Sequence, residues 1–349
     1  MTTSRRRRLG IIGVVAAVVV TALGVATVRA NPAPDLPAVG ADQLLASTLG
    51  ALAHPFTISG DVATHVDIGI PSVPSSIGGG VLGPVALAIG DQHFKVWRSP
   101  DGVRVAHLLD LGEQDLIANA DDAWYWDSSS ISAVHLAIPP SATTPSPAIP
   151  SPSDADFLSI AQRAIAAVAP YADVSVEGTA VVAGQASYEL VLTPTSTLTL
   201  VGRIAVSVDA QTRLPLQLQV FPRGSAAAAI EGGFTSVSYE PIDPVMFDFT
   251  APPGATVRQA ADVVTAMEQH ATASSSQPPP GTVQRVFGNG FDTRVAIELR
   301  TPLPRESAAL LPYAGPLLSV VSVERGGRTW LLVGPVPVAT LEQDATALS

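Results

Sequence analysis

The chain of 349 residues contains no cysteine, a single lysine and few charged residues. The absence of cysteine excludes disulfides, thiolate zinc sites, iron–sulfur clusters, thiol catalysis and a cysteine-linked lipid anchor. Acidic residues outnumber basic ones by 30 to 19, and the net charge of −11 argues against a nucleic-acid partner. Hydrophobic residues make up 47% of the chain, which is typical of a folded protein long enough for two domains.

No sequence motif for catalysis, phosphate binding or metal binding occurs in the chain. The six histidines show no metal-ligand spacing, and the GxSxG, P-loop and dinucleotide-binding patterns are absent. The pair Asp121-Asp122 is more typical of a hairpin turn than of a cation site. We therefore expect a protein that is not an enzyme, with no catalytic residue, no metal and no cofactor.

The N-terminus predicts export. Four arginines at positions 5–8 precede an uncharged apolar run over residues 9–28. This order is typical of a signal peptide, cleaved near residue 30, and about 20 apolar residues also suffice for an uncleaved membrane anchor. Both alternatives place the remaining chain outside the cytoplasm, secreted or tethered to the cytoplasmic membrane by residues 9–28. Residues 1–30 carry five arginines and no acid, so 14 basic and 30 acidic residues remain. This excess favours lipid contacts inside a cavity over an open acidic face.

Composition and periodicity divide the exported part into two domains. Residues 31–40 read as a tether, and residues 41–270 as a main domain with Pro-rich insertions at 71–84 and 139–152. Helices are predicted over 41–54, from Ser153 to Val168, and over 256–270. Residues 271–281 read as a linker. A small α+β accessory domain at 282–349 follows, with two strands, a short helix and two more strands around Arg325-Gly326-Gly327.

Short runs with period-two alternation predict many strands in the main domain. The clearest runs are those through Leu190, Val206 and Leu218, separated by turn signals such as Ala183-Gly184. Closely spaced short strands indicate a largely antiparallel sheet. The alternating apolar side chains could fill a solid core or line a ligand cavity, because both need the same residue types.

Several segments, in this order, resemble the LolA-like superfamily. They are residues 184–194 (GQASYELVLTP), 204–216 (IAVSVDAQTRLPL) and 233–257 (GFTSVSYEPIDPVMFDFTAPPGATV), together with Arg104 and residues 111–127. The resemblance covers about residues 41–258. That superfamily includes the periplasmic lipoprotein carrier, RseB-type regulators of envelope stress and lipid carriers of actinobacterial envelopes.

The resemblance implies an α+β fold, an antiparallel half-barrel sheet closed by helices, with an apolar cavity between sheet and helices. Acyl chains of a lipid or lipoprotein would be its ligands. The segment 71–84 is a candidate gate. The cavity-lining residues that we predict are Phe94, Val96, Val105, Trp124, Trp126, Leu190, Leu192, Val206, Leu216, Leu218 and Phe247.

Two function hypotheses follow from this resemblance. The first is an exported carrier that holds acyl chains non-covalently. The second is an RseB-type stress sensor that regulates a membrane-embedded anti-sigma factor by protein contact, which the extra domain at 282–349 favours. A cell-surface module with a filled core is a third alternative, and it predicts neither a lipid nor a partner.

Overall fold

A computed structural model describes residues 34–69, 89–138, 154–262, 284–299, 303 and 308–348. The N-terminal segment, both Pro-rich insertions, the gate candidate within the first of them, and the linker lie outside these residues. Within the described ranges, no helix has the length and apolar character needed to cross a membrane. The predicted domain boundaries stay predictions.

The described residues form one open sheet of 12 strands and a second sheet of five strands. The large-sheet strands are β1 (Ile58–Val66), β2 (Gly90–Ser99), β3 (Gly102–Leu109), β4 (Gly112–Ala118), β5 (Asp122–Asp127), β6 (Ser132–Ala137), β7 (Ala172–Val182), β8 (Gln185–Pro194), β9 (Val201–Asp209), β10 (Pro215–Pro222), β11 (Ile230–Phe234) and β12 (Thr256–Gln259). Their order across the sheet is β12-β6-β5-β4-β3-β2-β1-β11-β10-β9-β8-β7. All neighbours in both sheets pair antiparallel except β12 and β6. The predicted fold class is therefore confirmed.

Register gives the large sheet two distinct faces, because directly paired residues point to the same side. The helix-side face carries Val96, Val105 and Leu116, which pair in succession across β2, β3 and β4. The far face carries Arg104 and Ile117, which pair across β3 and β4.

Helix α1 (Ala41–Ala53) packs against the helix-side face. Its Leu44 is fully buried and joins Tyr188, Leu190 and Val206 in one apolar cluster. Helix α2 (Asp154–Val168) lies against α1, where Phe157 packs beside Gly50. Both predicted helices are confirmed, since their apolar stripes need a partner surface and the sheet and the neighbouring helix supply it.

The third predicted helix is wrong at its start. Residues 256–259 form β12, whose four residues are all exposed, and helical backbone begins only at Ala260. Residues 263–270 lie outside the described part of the chain. The apolar spacing that suggested a helix is overridden because the segment adds to the free edge of β6, where backbone pairing fixes an extended conformation.

The second sheet has its own core. Trp330, Leu332 and Leu341 are buried together between the sheet and a C-terminal helix α3 (Val338–Ala345). The strands are β13 (Gln284–Phe287), β14 (Arg294–Leu299), β15 (Tyr313–Ala314), β16 (Ser319–Arg325) and β17 (Arg328–Gly334), in the order β13-β14-β17-β16-β15. The first two predicted strands correspond to β13 and β14, and the two around the 325–327 turn are β16 and β17, whereas β15 and α3 were not predicted. The short helix predicted between the two pairs falls where residues 300–302 and 304–307 lie outside the described part of the chain.

Hydrogen bonds connect the two sheets at one loop of the large sheet, residues 195–200 between β8 and β9. The Ser196 hydroxyl donates to Asp292 Oδ2 at 2.7 Å, and the Leu200 amide donates to the Pro335 carbonyl at 2.7 Å. Asp292 also accepts from the Asn289 amide at 2.9 Å. Because the Asp292 carboxylate is largely buried, these bonds are shielded from water and fix the second sheet against the first.

Replacing Leu190 with tryptophan tests the packing under α1. Leu190 is 6% exposed, so the larger ring forces neighbouring side chains apart, and we expect unfolding free energy to fall by about 1–3 kcal/mol. Urea unfolding measures the change. Leu116→Trp is the control, because Leu116 lies on the same face but is 50% exposed. Equal stabilities of Leu190→Trp and the unmutated protein would contradict a packed interface beneath α1.

Candidate functional site

The eleven predicted lining residues lie on both faces of the large sheet. Eight lie on the helix-side face, and three lie on the far face. The helix-side group is Phe94, Val96, Val105, Leu190, Leu192, Val206, Leu216 and Leu218, and the far-face group is Trp124, Trp126 and Phe247.

The part of the helix-side face beneath α1 is packed. Leu190 and Val206 cluster with Leu44 of the helix, and Leu218 packs against the same cluster. Leu216 is fully buried in a neighbouring cluster, against which Phe94 and Val96 pack. These residues therefore bury apolar surface within the chain itself.

The other half of the helix-side face is open. Leu116 on β4 is 50% exposed, Tyr125 on β5 is 41% exposed, and Leu136 on β6 is 50% exposed. Val105 on β3, which pairs with Leu116, is half-buried. Large apolar side chains grouped on one exposed sheet face are typical of a binding surface. This open half is the candidate functional site.

Sequence reasoning missed Leu116, Tyr125 and Leu136. The period-two pattern was available, since Tyr125 alternates with Trp124 and Trp126 and must face the other side of β5. The pattern gives no indication of which side carries the helices, so it could not assign the two tryptophans to the far face.

The far face is closed by a crossing segment, residues 240–255. Phe247 is buried against Gly102 of β3, where a Cβ would approach its ring at 2.7 Å. Phe249 contacts both tryptophans of β5, with ring centroids 5.3 Å from Trp124 and 5.7 Å from Trp126. This aromatic layer covers the far face, and the candidate site lies opposite it, on the helix-side face.

A buried ion pair lies beneath the crossing segment. Arg104 Nη2 donates to Asp115 Oδ2, and the Asp115 side chain is 1% exposed. The Arg104 guanidinium also lies 5.8 Å from the Trp97 ring and 4.0 Å, measured at Nη1, from Met246 Sδ. The pair connects β3 to β4 on the far face, opposite the site.

The titratable side chains near the site include Tyr125, Asp127 and His135. Partial burial, and secondarily the charge of Asp127, raise the pKa of the Tyr125 hydroxyl, which keeps it neutral. Asp127 itself accepts from Ser129 and Ser130 in the hairpin turn, which lowers the pKa of its carboxyl. On the far face, His135 Nε2 lies 2.5 Å from Asp122 Oδ1. The part of the chain that the structure describes contains no group of three His, Asp or Glu side chains able to hold a metal ion.

A cavity between the two sheets is too small for a lipid. Its volume is about 110 Å³, against roughly 300–1,000 Å³ for ordinary ligand pockets. Residues from loops next to both sheets line it: Pro170, Tyr171, Thr195, Ser196, Asn289 and Phe291.

Comparison with known proteins gave structural matches but no sequence match. No protein-family model matches the chain, and neither does any curated protein. The chain is similar to the solved complex of MucA and MucB from Pseudomonas aeruginosa, at 15% identity over 87% of this chain and 96% of that one, with a TM-score of 0.43. It is also similar to an uncharacterized conserved protein from Thermus thermophilus, at 10% identity over 63% and 98% of the two chains, with a TM-score of 0.34.

A LolA superfamily protein from Nitrosomonas europaea is similar to the chain as well. The identity is 10%, the match covers 61% of this chain and 99% of that one, and the TM-score is 0.23.

Replacing Arg104 with methionine tests the ion pair behind the site. The change leaves the Asp115 carboxylate buried without its cation, so we expect a loss of about 3–5 kcal/mol in unfolding free energy. Chemical denaturation measures it. The double variant Arg104→Met/Asp115→Leu is the control and should recover much of the loss, since no charge then stays buried. A single variant as stable as the parent protein would refute this role for the pair.

Proposed function

We propose that this chain is an exported carrier of lipids or lipoproteins that holds acyl chains non-covalently. The observation that carries this proposal is the open half of the helix-side face, where Leu116, Tyr125 and Leu136 are each 41–50% exposed. An acyl chain laid on these side chains gains about 25 cal/mol for each Å² of apolar surface that leaves water. Binding of this kind needs no catalytic group, and we propose no enzymatic activity.

The layered construction of the sheet supports a binding surface at this place. The crossing segment closes the far face with Phe247 and Phe249, and α1 closes the neighbouring part of the helix-side face with Leu44. The open half is therefore a preformed apolar surface, bordered by α1 on one side. A preformed surface lowers the entropy cost of binding, because few protein groups have to be ordered.

Export is part of the same proposal. The positive cluster at positions 5–8 and the apolar run over 9–28 have the order of a signal peptide or signal anchor. A carrier of envelope lipids has to act outside the cytoplasm. Cleavage and anchoring remain alternatives within the proposal.

The experiment places a charge on the open face and measures uptake of an acyl probe. In Leu116→Glu, a carboxylate replaces an apolar contact, and we expect affinity for a neutral fluorescent probe such as N-phenyl-1-naphthylamine to fall at least about tenfold. Fluorescence titration measures the affinity, and stability should change little because Leu116 is half exposed.

Leu108→Glu is the matched control. Leu108 lies on the adjacent strand β3, is 38% exposed and points to the far face, so the same charge change should leave probe affinity unchanged. Equal affinities of the two variants would count against the proposal. So would a purified residue 31–349 fragment that neither carries lipid from its host nor takes up the probe.

A second candidate function is regulation of a membrane-embedded protein by direct contact, as in an RseB-type sensor. The attachment of the second sheet favours it, because the Ser196–Asp292 and Leu200–Pro335 bonds hold that sheet against the large sheet. A partner recovered from membranes, together with the absence of bound lipid, would favour the sensor over the carrier.

A further inference from the structure

A row of paired side chains on the helix-side face runs outward from the α1 side and ends on an arginine. Each member comes from the next strand, and each pairs directly with its neighbour. We call it the apolar row; its members are Val96 of β2, Val105 of β3, Leu116 of β4, Tyr125 of β5, Val134 of β6 and, at the outer end, Arg258 of β12.

The open apolar part of the row has the length of an acyl chain. Val96 packs against the Leu216 cluster, so this part begins at Val105. Val105 and Val134 are three strands apart, and neighbouring strands lie about 4.8 Å apart, so it spans about 14 Å. One acyl chain fills half of a bilayer hydrocarbon core of about 30 Å, or about 15 Å. A single chain can therefore lie across β3 to β6 with one end beside Arg258.

Arg258 is exposed and has no partner in the described part of the chain. By contrast, Arg104, Arg294 and Arg328 each pair with a carboxylate. On the same face, the row of paired residues next to the apolar row contains the acidic residue Asp127. The Asp127 carboxylate oxygens accept hydrogen bonds from Ser129, Ser130 and Gln114. Arg258 thus offers an exposed guanidinium at the end of an apolar surface, on a protein with a net charge of −11.

We propose that the ligand of this face is a single-chain lipid with an anionic headgroup, whose chain lies along the apolar row and whose headgroup pairs with Arg258. This inference rests on the proposed carrier function and adds the charge and orientation of the ligand. A guanidinium pairs well with carboxylate or phosphate oxygens because its donors form a planar fork. Because Arg258 is exposed at the outer end of the row, a headgroup paired with it stays in contact with water and no charge is buried.

The test compares two lipids that share a chain and differ in headgroup charge. Palmitate and 1-monopalmitoylglycerol each compete with N-phenyl-1-naphthylamine for the full exported chain, residues 31–349. The unmutated protein should bind palmitate about fivefold more tightly, the size of effect expected for one exposed charge pair. In Arg258→Gln this preference should vanish, and in Arg258→Glu it should reverse, while the affinity for 1-monopalmitoylglycerol stays constant.

Arg285→Gln is the matched control. Arg285 is likewise exposed on a four-residue edge strand, but it belongs to β13 of the second sheet. The substitution Arg285→Gln removes the same charge from the protein as Arg258→Gln does. It therefore separates a local effect at the apolar row from an effect of the net charge. The palmitate preference should persist in this variant and should weaken with added salt in the unmutated protein.

The outcomes separate this inference from the function on which it rests. If the unmutated protein binds both lipids and Arg258→Glu still binds palmitate as tightly, the headgroup assignment is wrong and the carrier proposal stands. If palmitate preference falls equally in Arg285→Gln, net charge causes it and the assignment is also wrong. If the protein binds neither lipid, the carrier proposal fails and this inference fails with it.

Discussion

The packing of α1 on the helix-side face of the large sheet is the constraint on which the rest of the structure depends. Leu44 inserts among Tyr188, Leu190 and Val206, and α2 covers the back of α1 through Phe157. One short helix pair cannot cover a sheet of 12 strands. The apolar side chains of β3 to β6 on the same face therefore stay exposed, although the alternation along those strands is that of a buried surface.

The far face explains why this open half can keep its shape. The crossing segment lays Phe247 and Phe249 over β3 and β5, and the Arg104–Asp115 pair ties β3 to β4 beneath it. Directly after the crossing segment, the chain forms β12, which pairs with the free edge of β6. Interior packing on one side thus supports an exposed apolar surface on the other, and a ligand meets a surface that is already formed.

Much of the fold could be predicted from the sequence, because period-two alternation, turn residues and two apolar helical stripes are local signals. The Ala183-Gly184 hairpin is one such case: both residues adopt positive φ, as a two-residue β-turn needs. The start of the third helix was wrong, since residues 256–259 are extended by pairing with a strand more than 100 residues earlier in the chain. For a similar reason the sequence did not assign the predicted lining residues to one face: alternation separates Trp124 from Tyr125 but does not show which side carries α1.

The most direct test of the account is to locate an acyl chain on the protein. Palmitate carrying a nitroxide along its chain, added to protein with isotope-labelled leucine methyl groups, broadens the NMR signals of methyls near it. The account predicts stronger broadening at Leu116 and Leu136, on the open face, than at Leu108, on the far face. Stronger broadening at Leu108 than at Leu116 and Leu136 would contradict it.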